Sequence, residues 1–372
     1  MTGRLGSAIA GLVGALLTSL AGSALAAPTA AQMEECVRRF PGDREAERRA
    51  CFESLLAPAS ATAPPATPPS PPSAAPPRPA PAAAIALDRG ESGSPFRRLW
   101  GDAKERSAWR AGEYQTNYFL PAYHARRPNL APAAVGGAAT APIDPALRQA
   151  TEAKFQLSLK GHVWPKDDRG SHDLWFGYTQ VSHWQLWNDE ASRPFRESSY
   201  EPEILYTWEP KDWRAGTWRV GHLGLSLNHN SNGRGGDGSR SWNRVIGFVR
   251  AESGGTMVTV RGWGRIEESG KDDNPRIADH YGRADVQVTH EFANGALLSA
   301  LARHSLRGGS RSRGALQLDL SLPLCRSHWP AWACVDSLRA HAQVFHGHAE
   351  SLIDYNHRDT YFGLGFSIGE TP

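Results

Sequence analysis

Leu316-Gln317-Leu318-Asp319-Leu320-Ser321-Leu322 is the run whose reading decides the fold. Apolar and polar side chains alternate at every residue. A period of two puts the leucines on one face of a β-strand and the polar groups on the other. The same alternation occurs in Lys154-Phe155-Gln156-Leu157-Ser158-Leu159-Lys160. It recurs where Ala284, Val286 and Val288 alternate with Asp285, Gln287 and Thr289, and again in 338–344 and 361–368. About twelve such segments fall between residues 113 and 369, an even number of suitable length for a membrane barrel. Trp and Tyr recur near the segment ends, as aromatic girdles require. The connections alternate between short (166–170, 210–214, 253–255, 292–295) and longer (125–152, 187–198, 231–240, 268–276). Short turns at one rim and long loops at the other are the habit of an outer-membrane barrel. The expected fold is therefore all-β: a transmembrane antiparallel β-barrel of about twelve strands, its apolar face in lipid. A soluble β-sandwich would explain the alternation alone, but not the girdles and loop lengths.

The flanking sequence sets the context. Arg4, an apolar run from Ala8 to Leu20 and the small-x-small ending Ala24-Leu25-Ala26 read as a signal peptide over 1–26. No later stretch approaches the roughly 18 apolar residues of a membrane helix. Residues 27–56 read as a small helical segment containing Cys36 and Cys51, too short to bury a core alone. Residues 57–92 form a linker rich in Ala and Pro, and 93–372 is the barrel domain. Four cysteines allow three pairings. Local pairing, Cys36 with Cys51 and Cys325 with Cys334, is favoured in an oxidising compartment. Neither pair has the spacing of a zinc or redox site. A net charge of +3 gives no reason to expect a nucleic-acid partner.

The densest polar run, His229 to Asn243, joins two strand candidates. On the entering strand, His229 and Ser231 share parity with Leu223, Leu225 and Leu227. They thus continue the row that faces lipid. Two residues apart on one strand, their Cα atoms lie about 6.5–7 Å apart on the same face, so the imidazole can reach the hydroxyl. On the returning strand Asn243 shares parity with Val245, Gly247 and Val249, although Ile246 and Phe248 blur that alternation. A His-x-Ser pair alone carries little weight. Polar side chains in a lipid-facing leucine row carry more, because they are costly there and tend to be functional. Ser231, His229 and Asn243 would supply a nucleophile, a base and a group that orients the base. An amide cannot neutralise an imidazolium, so a metal ion is a natural source of further charge stabilisation.

The bipartite run His229-x-Ser231-Asn232-Gly233-Arg234 and Ser239-Arg240-Ser241-Trp242-Asn243-Arg244 resembles the signature of the outer-membrane phospholipase A family. Asn117-Tyr118, Tyr178-Thr179-Gln180, Pro194-Phe195-Arg196-Glu197, Asp272-Asp273-Asn274-Pro275 and the run from Glu350 to Asn356 read like further family segments. The resemblance covers roughly 110–368. It implies a twelve-stranded barrel in the outer membrane of a Gram-negative bacterium. It implies calcium-dependent hydrolysis of acyl esters (phospholipase A1 and A2 type) of phospholipids and lysophospholipids, and activation by homodimerisation. By motif, Ser231 resembles the nucleophile, His229 the base, Asn243 the orienting residue and Gly233 the oxyanion-hole amide. Arg234 and Ser239 resemble calcium-loop residues, and Ser192 a calcium ligand from a neighbouring loop. Asp273 resembles part of a second calcium position, and Gln180 a membrane-embedded glutamine at the dimer interface. Gly235-Gly236-Asp237-Gly238 departs from the family pattern by its glycine content. The end Gly369-Glu370-Thr371-Pro372 lacks a terminal aromatic, leaving Phe366 as the nearest candidate for an insertion signal. A catalytically silent outer-membrane pore and a soluble secreted esterase are the competing readings.

Overall fold

The computed structural model describes residues 111–369 except 139, 141–142, 164–171, 269–271 and 326–336. It also describes Leu99, Trp100, Glu35, Arg38, Arg39, Arg44, Glu47 and Cys51. The expected signal peptide, the linker, Cys36 and Cys334 lie outside these residues, and so do the two disulfide pairings as expected. Cys51 and Cys325 are each disulfide-bonded. The chain divides into two units, Met1–Pro79 and Ala80–Pro372. In the first, Glu35, Arg38, Arg39, Glu47 and Cys51 are helical, and Arg38 pairs with Glu35 across one turn.

In the second unit the alternating segments form fourteen strands: β1 (Ala111–Glu113), β2 (Asn117–Ala125), β3 (Thr151–His162), β4 (His172–Trp184), β5 (Phe195–Trp208), β6 (Arg214–Ala215), β7 (Trp218–Ser231), β8 (Ser241–Ser253), β9 (Thr256–Ile266), β10 (Ala284–Glu291), β11 (Leu297–His304), β12 (Gly314–Pro323), β13 (Leu338–His348) and β14 (Arg358–Ile368). Both β1 and β2 pair with β3 and act as one interrupted strand, and the two-residue β6 only extends the turn before β7. The other strands pair antiparallel with their neighbours in turn, and β14 returns to β2. The result is a closed twelve-stranded barrel with no free edge.

The wall sorts side chains as the alternation requires. Outward-facing Leu157, Ile204, Leu225, Leu227, Leu318 and Leu364 are exposed. An apolar belt of this extent needs lipid to cover it. Trp187 and Phe195 mark one rim, and Trp213, Trp218 and Phe292 the other, giving two aromatic girdles. Among the described residues no helix is long and apolar enough to cross a membrane; the strands cross it.

The lumen is packed. Lys154 reaches Glu350 at 2.5 Å and Gln343 at 2.7 Å, and Gln343 in turn donates to Asp319 at 2.6 Å. Near the outer rim Arg196 bridges Glu152 at 2.8 Å and Asp354 at 2.7 Å. These buried charges are paired, as buried charges must be. Apolar clusters fill the gaps between them. Phe248 packs with Trp100, Tyr114, Trp175, Leu205 and Met257, and Ile246 packs with Trp242, Trp263 and Ile277. The blurred alternation in β8 therefore has a simple cause: Ile246 and Phe248 point into apolar parts of the interior, and Val245 and Val249 point to lipid. Gly224 on β7 makes room for this, since a Cβ there would lie 2.2 Å from Cζ of the Phe248 ring.

Candidate active site

Strand β7 leaves the barrel wall at its outer rim. Its inward residues Ser226, Asn228 and Asn230 are buried, and its outward residues are Leu225, Leu227, His229 and Ser231. Asn228 and Asn230 donate to Glu201 at 2.8 and 3.1 Å, and Arg244 joins the same group, so this end of the strand is anchored from inside. Across the pairing with β8, His229 stands opposite Asn243 and Ser231 opposite Ser241. The three expected site residues meet on the outer surface. His229 Nε2 lies 3.0 Å from Ser231 Oγ, and His229 Nδ1 lies 2.8 Å from Asn243 Oδ1.

A fourth residue completes the chain. Asn243 Nδ2 donates to Glu268 Oε1 at 3.2 Å. The carboxylate accepts only, so it fixes which end of the Asn243 amide faces His229. With Oδ1 toward the ring, Nδ1 must carry the proton and Nε2 is left to accept from Ser231. Glu268 thus sets the tautomer that a base requires. Sequence reasoning missed it. The signal was the register: Asn243 pairs with Ile266 on β9, two residues before Glu268.

The loop after Ser231 is shaped by Asn232. Its Oδ1 accepts from the backbone of Arg240 at 2.9 Å, and its Nδ2 donates to the Gly238 carbonyl at 2.8 Å. Gly233 follows in the left-handed region at φ +64°, with its α-carbon against the Tyr200 ring, which a Cβ would approach to 3.3 Å. Only glycine takes that conformation at no steric cost. The Arg234 side chain turns back to the Arg196 carbonyl and to Glu197 at 3.5 Å, leaving its backbone carbonyl for any cation.

Of the four residues expected to hold calcium, two come together: Ser239 Oγ donates to Asp273 Oδ2 at 2.6 Å. The neighbouring Asp272 is committed to Arg265 at 2.7 and 2.8 Å. Partial burial raises its carboxyl, but the Arg265 contacts hold it below its ordinary value. Ser192 sits on the separate 185–194 loop, exposed and at φ 57°, with its backbone N–H on Asp189. No contact joins it to Arg234 or Ser239 among the described residues. A hydroxyl, a carboxylate and backbone carbonyls are hard oxygen donors of the kind calcium takes.

The expected interface glutamine lies on the same wall. Gln180 pairs with Tyr200, and Tyr200 with Ser231, so the three stand in one row across β4, β5 and β7. Two strand spacings, about 10 Å, separate Gln180 from the serine. Its amide already has local partners: Tyr178 Oη donates to Oε1 and Nε2 donates to Ser182, each at 3.1 Å.

A family model described as phospholipase A1 matches residues 99–368. Among curated relatives, a putative phospholipase A1 of Neisseria meningitidis serogroup B is 33% identical over 261 residues, 69% of this chain and 65% of that protein. The phospholipase A1 of Escherichia coli K12 is 35% identical over 219 residues, 59% of this chain and 70% of the relative. The chain therefore spans about two thirds of the length of these relatives. Among solved structures, outer membrane phospholipase A from Escherichia coli superposes with a TM-score of 0.60 at 29% identity, covering 76% of this chain and 100% of the other. The Salmonella typhi outer membrane phospholipase, a dimer with bound calcium, gives a TM-score of 0.57 at 30% identity over 70% of this chain and 92% of the other.

Proposed function

Because this chain belongs to the phospholipase A1 family, a family of outer-membrane barrel enzymes that hydrolyse phospholipids, we propose that it cleaves phospholipid acyl esters with a Ser231-His229-Asn243 site on the outer wall of its barrel. The observation that carries the reading is the unbroken chain of contacts from Glu268 through Asn243 and His229 to Ser231 on a lipid-facing surface. The packed lumen speaks against a passive pore.

In the proposed reaction Ser231 Oγ attacks the ester carbonyl while His229 Nε2 takes its proton. Asn243 Oδ1 holds the Nδ1–H, and Glu268 holds Asn243. The tetrahedral oxyanion is met by the Gly233 N–H. His229 then returns the proton to the departing alkoxide, releasing lysophospholipid and leaving the acyl group on Ser231. A water molecule, deprotonated by the same imidazole, attacks the acyl carbonyl, frees the fatty acid and restores the serine. Lysophospholipid is a substrate by the same steps. Asn243 adds no formal charge, so the imidazolium is balanced only at a distance by Glu268. Calcium held by Ser239, Asp273 and the Arg234 carbonyl, with Ser192 from the neighbouring loop, would add positive potential beside the oxyanion when bound.

The second part of the reading is assembly. A smooth barrel wall offers no deep cleft for an acyl chain, and a second copy packed on the row of Gln180, Tyr200 and Ser231 would make one. The Salmonella typhi relative's dimer with bound calcium supports this. The local partners of Gln180 lower the cost of the amide in lipid, so a hydrogen bond across the twofold axis would add at most ~1 kcal/mol.

The test is phospholipid hydrolysis by the purified protein in mixed micelles, with calcium and with chelator. Ser231→Ala and His229→Ala are each expected to abolish turnover while leaving the folded, heat-modifiable gel band intact. Chelator is expected to do the same. Full activity in either variant refutes the site, and full activity in chelator refutes the metal. Cross-linking of Gln180→Ala against its activity, over a range of detergent concentrations, tests the dimer. Activity in demonstrably monomeric protein with calcium present counts against it.

A further inference from the structure

Strands β11 to β14 carry a second polar feature, on a wall that the catalytic reading does not use. Their outward faces are apolar over most of their length, with Leu318, Leu364 and Phe362 exposed. At the outer edge this changes within one register step. Val344 stands opposite Phe362, and the next outward residue, His346, stands opposite Leu316 and Thr360. Above it Arg358 is exposed and donates to His346 Nε2 at 2.9 Å, and His346 Nδ1 lies 2.7 Å from Thr360 Oγ1. Arg313, from the adjoining loop, meets His280 Nε2 at 2.9 Å, and the His280 and His348 rings stand 5.4 Å apart. His348 is opposite Arg358 in the ladder, so the two arginine–imidazole pairs form one patch.

The charge on this patch is unbalanced. Among the described residues neither Arg313 nor Arg358 forms an ion pair. Arg307 and Arg311 are exposed beside them and form none either. Asp279 holds Arg283 at 2.8 Å, and Asp359, next to Arg358 in the chain, is buried on the inward face and accepts the Arg127 backbone N–H at 2.8 Å. Elsewhere in this barrel Arg196, Arg219, Arg261 and Arg265 each meet a carboxylate, while Arg240 and Arg303 rest on backbone carbonyls and aromatic rings. A guanidinium cannot give up its charge, and imidazole nitrogen as acceptor leaves that charge uncompensated. The place where it is left is the upper edge of an apolar wall, the depth at which lipid headgroups begin.

We propose that this edge docks a lipid of the outer leaflet whose headgroup carries phosphate monoesters, its acyl chains lying on the β12–β14 wall and its phosphate on Arg313 and Arg358. The two halves of the surface match the two halves of such a molecule. A phosphate monoester offers close to two charges and several acceptor oxygens to the paired arginine donors. A second copy of this chain would bring the same cations against its own and is disfavoured on this face.

The experiment is native mass spectrometry of the purified protein in neutral detergent, titrated with a synthetic acylated glucosamine disaccharide bearing two phosphates. The same lipid without phosphates and inorganic phosphate alone are the comparison arms. The phosphorylated lipid is expected to bind and the dephosphorylated lipid to bind much more weakly, with inorganic phosphate unable to displace the lipid at matched concentration. Arg313→Gln with Arg358→Gln is expected to weaken the phosphorylated lipid roughly twenty-five-fold, about fivefold per charge, and to leave the other lipid unchanged. Equal binding of the two lipids, displacement by inorganic phosphate, or unchanged binding by the double variant overturns the proposal. Should the double variant fail to fold, the comparison of the two lipids on the wild-type protein decides alone.

Discussion

Replacing Asn243 gives a series whose outcomes differ enough to test the site in detail. Its Oδ1 lies 2.8 Å from His229 Nδ1. Such a bond is worth about 1 kcal/mol to a neutral imidazole and about 1.5–3 kcal/mol to a charged one. The difference acts only in the transition state, where the ring is protonated. Asn243→Ala should therefore slow turnover about two- to thirtyfold, the difference of about 0.5–2 kcal/mol at roughly 1.4 kcal/mol per factor of ten. Asn243→Asp looks like an improvement toward a carboxylate triad, but the structure argues otherwise. The new oxygen would replace an amide nitrogen 3.2 Å from Glu268 Oε1. Two like charges at 4 Å repel by about 4 kcal/mol at an effective dielectric of 20. The aspartate is expected to swing away or take up a proton, and the single variant to be as slow as the alanine. Asn243→Asp combined with Glu268→Gln removes the conflict and should be at least tenfold faster than Asn243→Asp alone. The assay is the initial rate of phospholipid hydrolysis in mixed micelles at saturating calcium, with heat-modifiable gel mobility to confirm folding. Asn243→Ala within twofold of wild type, or equal rates for the single and double aspartate variants, would refute the role assigned to Glu268.

Three further outcomes follow from the geometry. Ser239→Ala removes an oxygen beside Asp273 and should raise the calcium concentration for half-maximal activity about tenfold, read from a calcium titration; an unchanged midpoint takes Ser239 out of the metal site. Arg196→Ala leaves Glu152 and Asp354 buried without their shared cation and should destabilise the barrel by about 3–5 kcal/mol, measured by thermal unfolding in detergent, where a loss under ~1 kcal/mol would count against the bridge. Burial, then Arg313 and His348, push the His280 imidazole down from 6.5 to about 4. The unfolded chain therefore takes up a proton near pH 6.5 that the folded loop refuses until about pH 4, so stability is full above 6.5 and falls progressively across that window. His280→Gln should flatten the fall in unfolding temperature between pH 6.5 and 4, and an identical slope in the variant would show that another group sets it.

The barrel was legible because its alternation is local. Leu316 to Leu322 needs only its own residues to declare two faces, and the lipid-facing leucines of β7 placed His229 and Ser231 without knowledge of any partner strand. Where the interior is itself apolar, that signal failed. Ile246 and Phe248 answer to Ile277 and Trp100, which come from other parts of the chain and meet them only in the folded interior. Glu268 stayed hidden for a related reason. It belongs to a loop, and only the register of β8 on β9 brings it to Asn243. The interior ion pairs, such as Lys154 with Glu350, span 196 residues and have no local signature. The local amide partners of Gln180 were readable in principle, since Tyr178 and Ser182 share its parity, but outward parity alone suggested an amide standing bare in lipid.

The position of Ser231, outside the wall and at the outer rim, changes what substrate concentration means for this protein. A soluble hydrolase samples a volume, and its encounters scale with molarity. With Ser231 as the proposed nucleophile, an ester would reach it only by lateral diffusion within the leaflet at that rim, so the governing variable would be a surface mole fraction. Lipids of the opposite leaflet keep their esters most of a bilayer away, about 30 Å, and are invisible however abundant they are. On the proposed site the protein's rate would be a readout of leaflet asymmetry, rising when cleavable lipid crosses to the outer face and falling when that face is cleared.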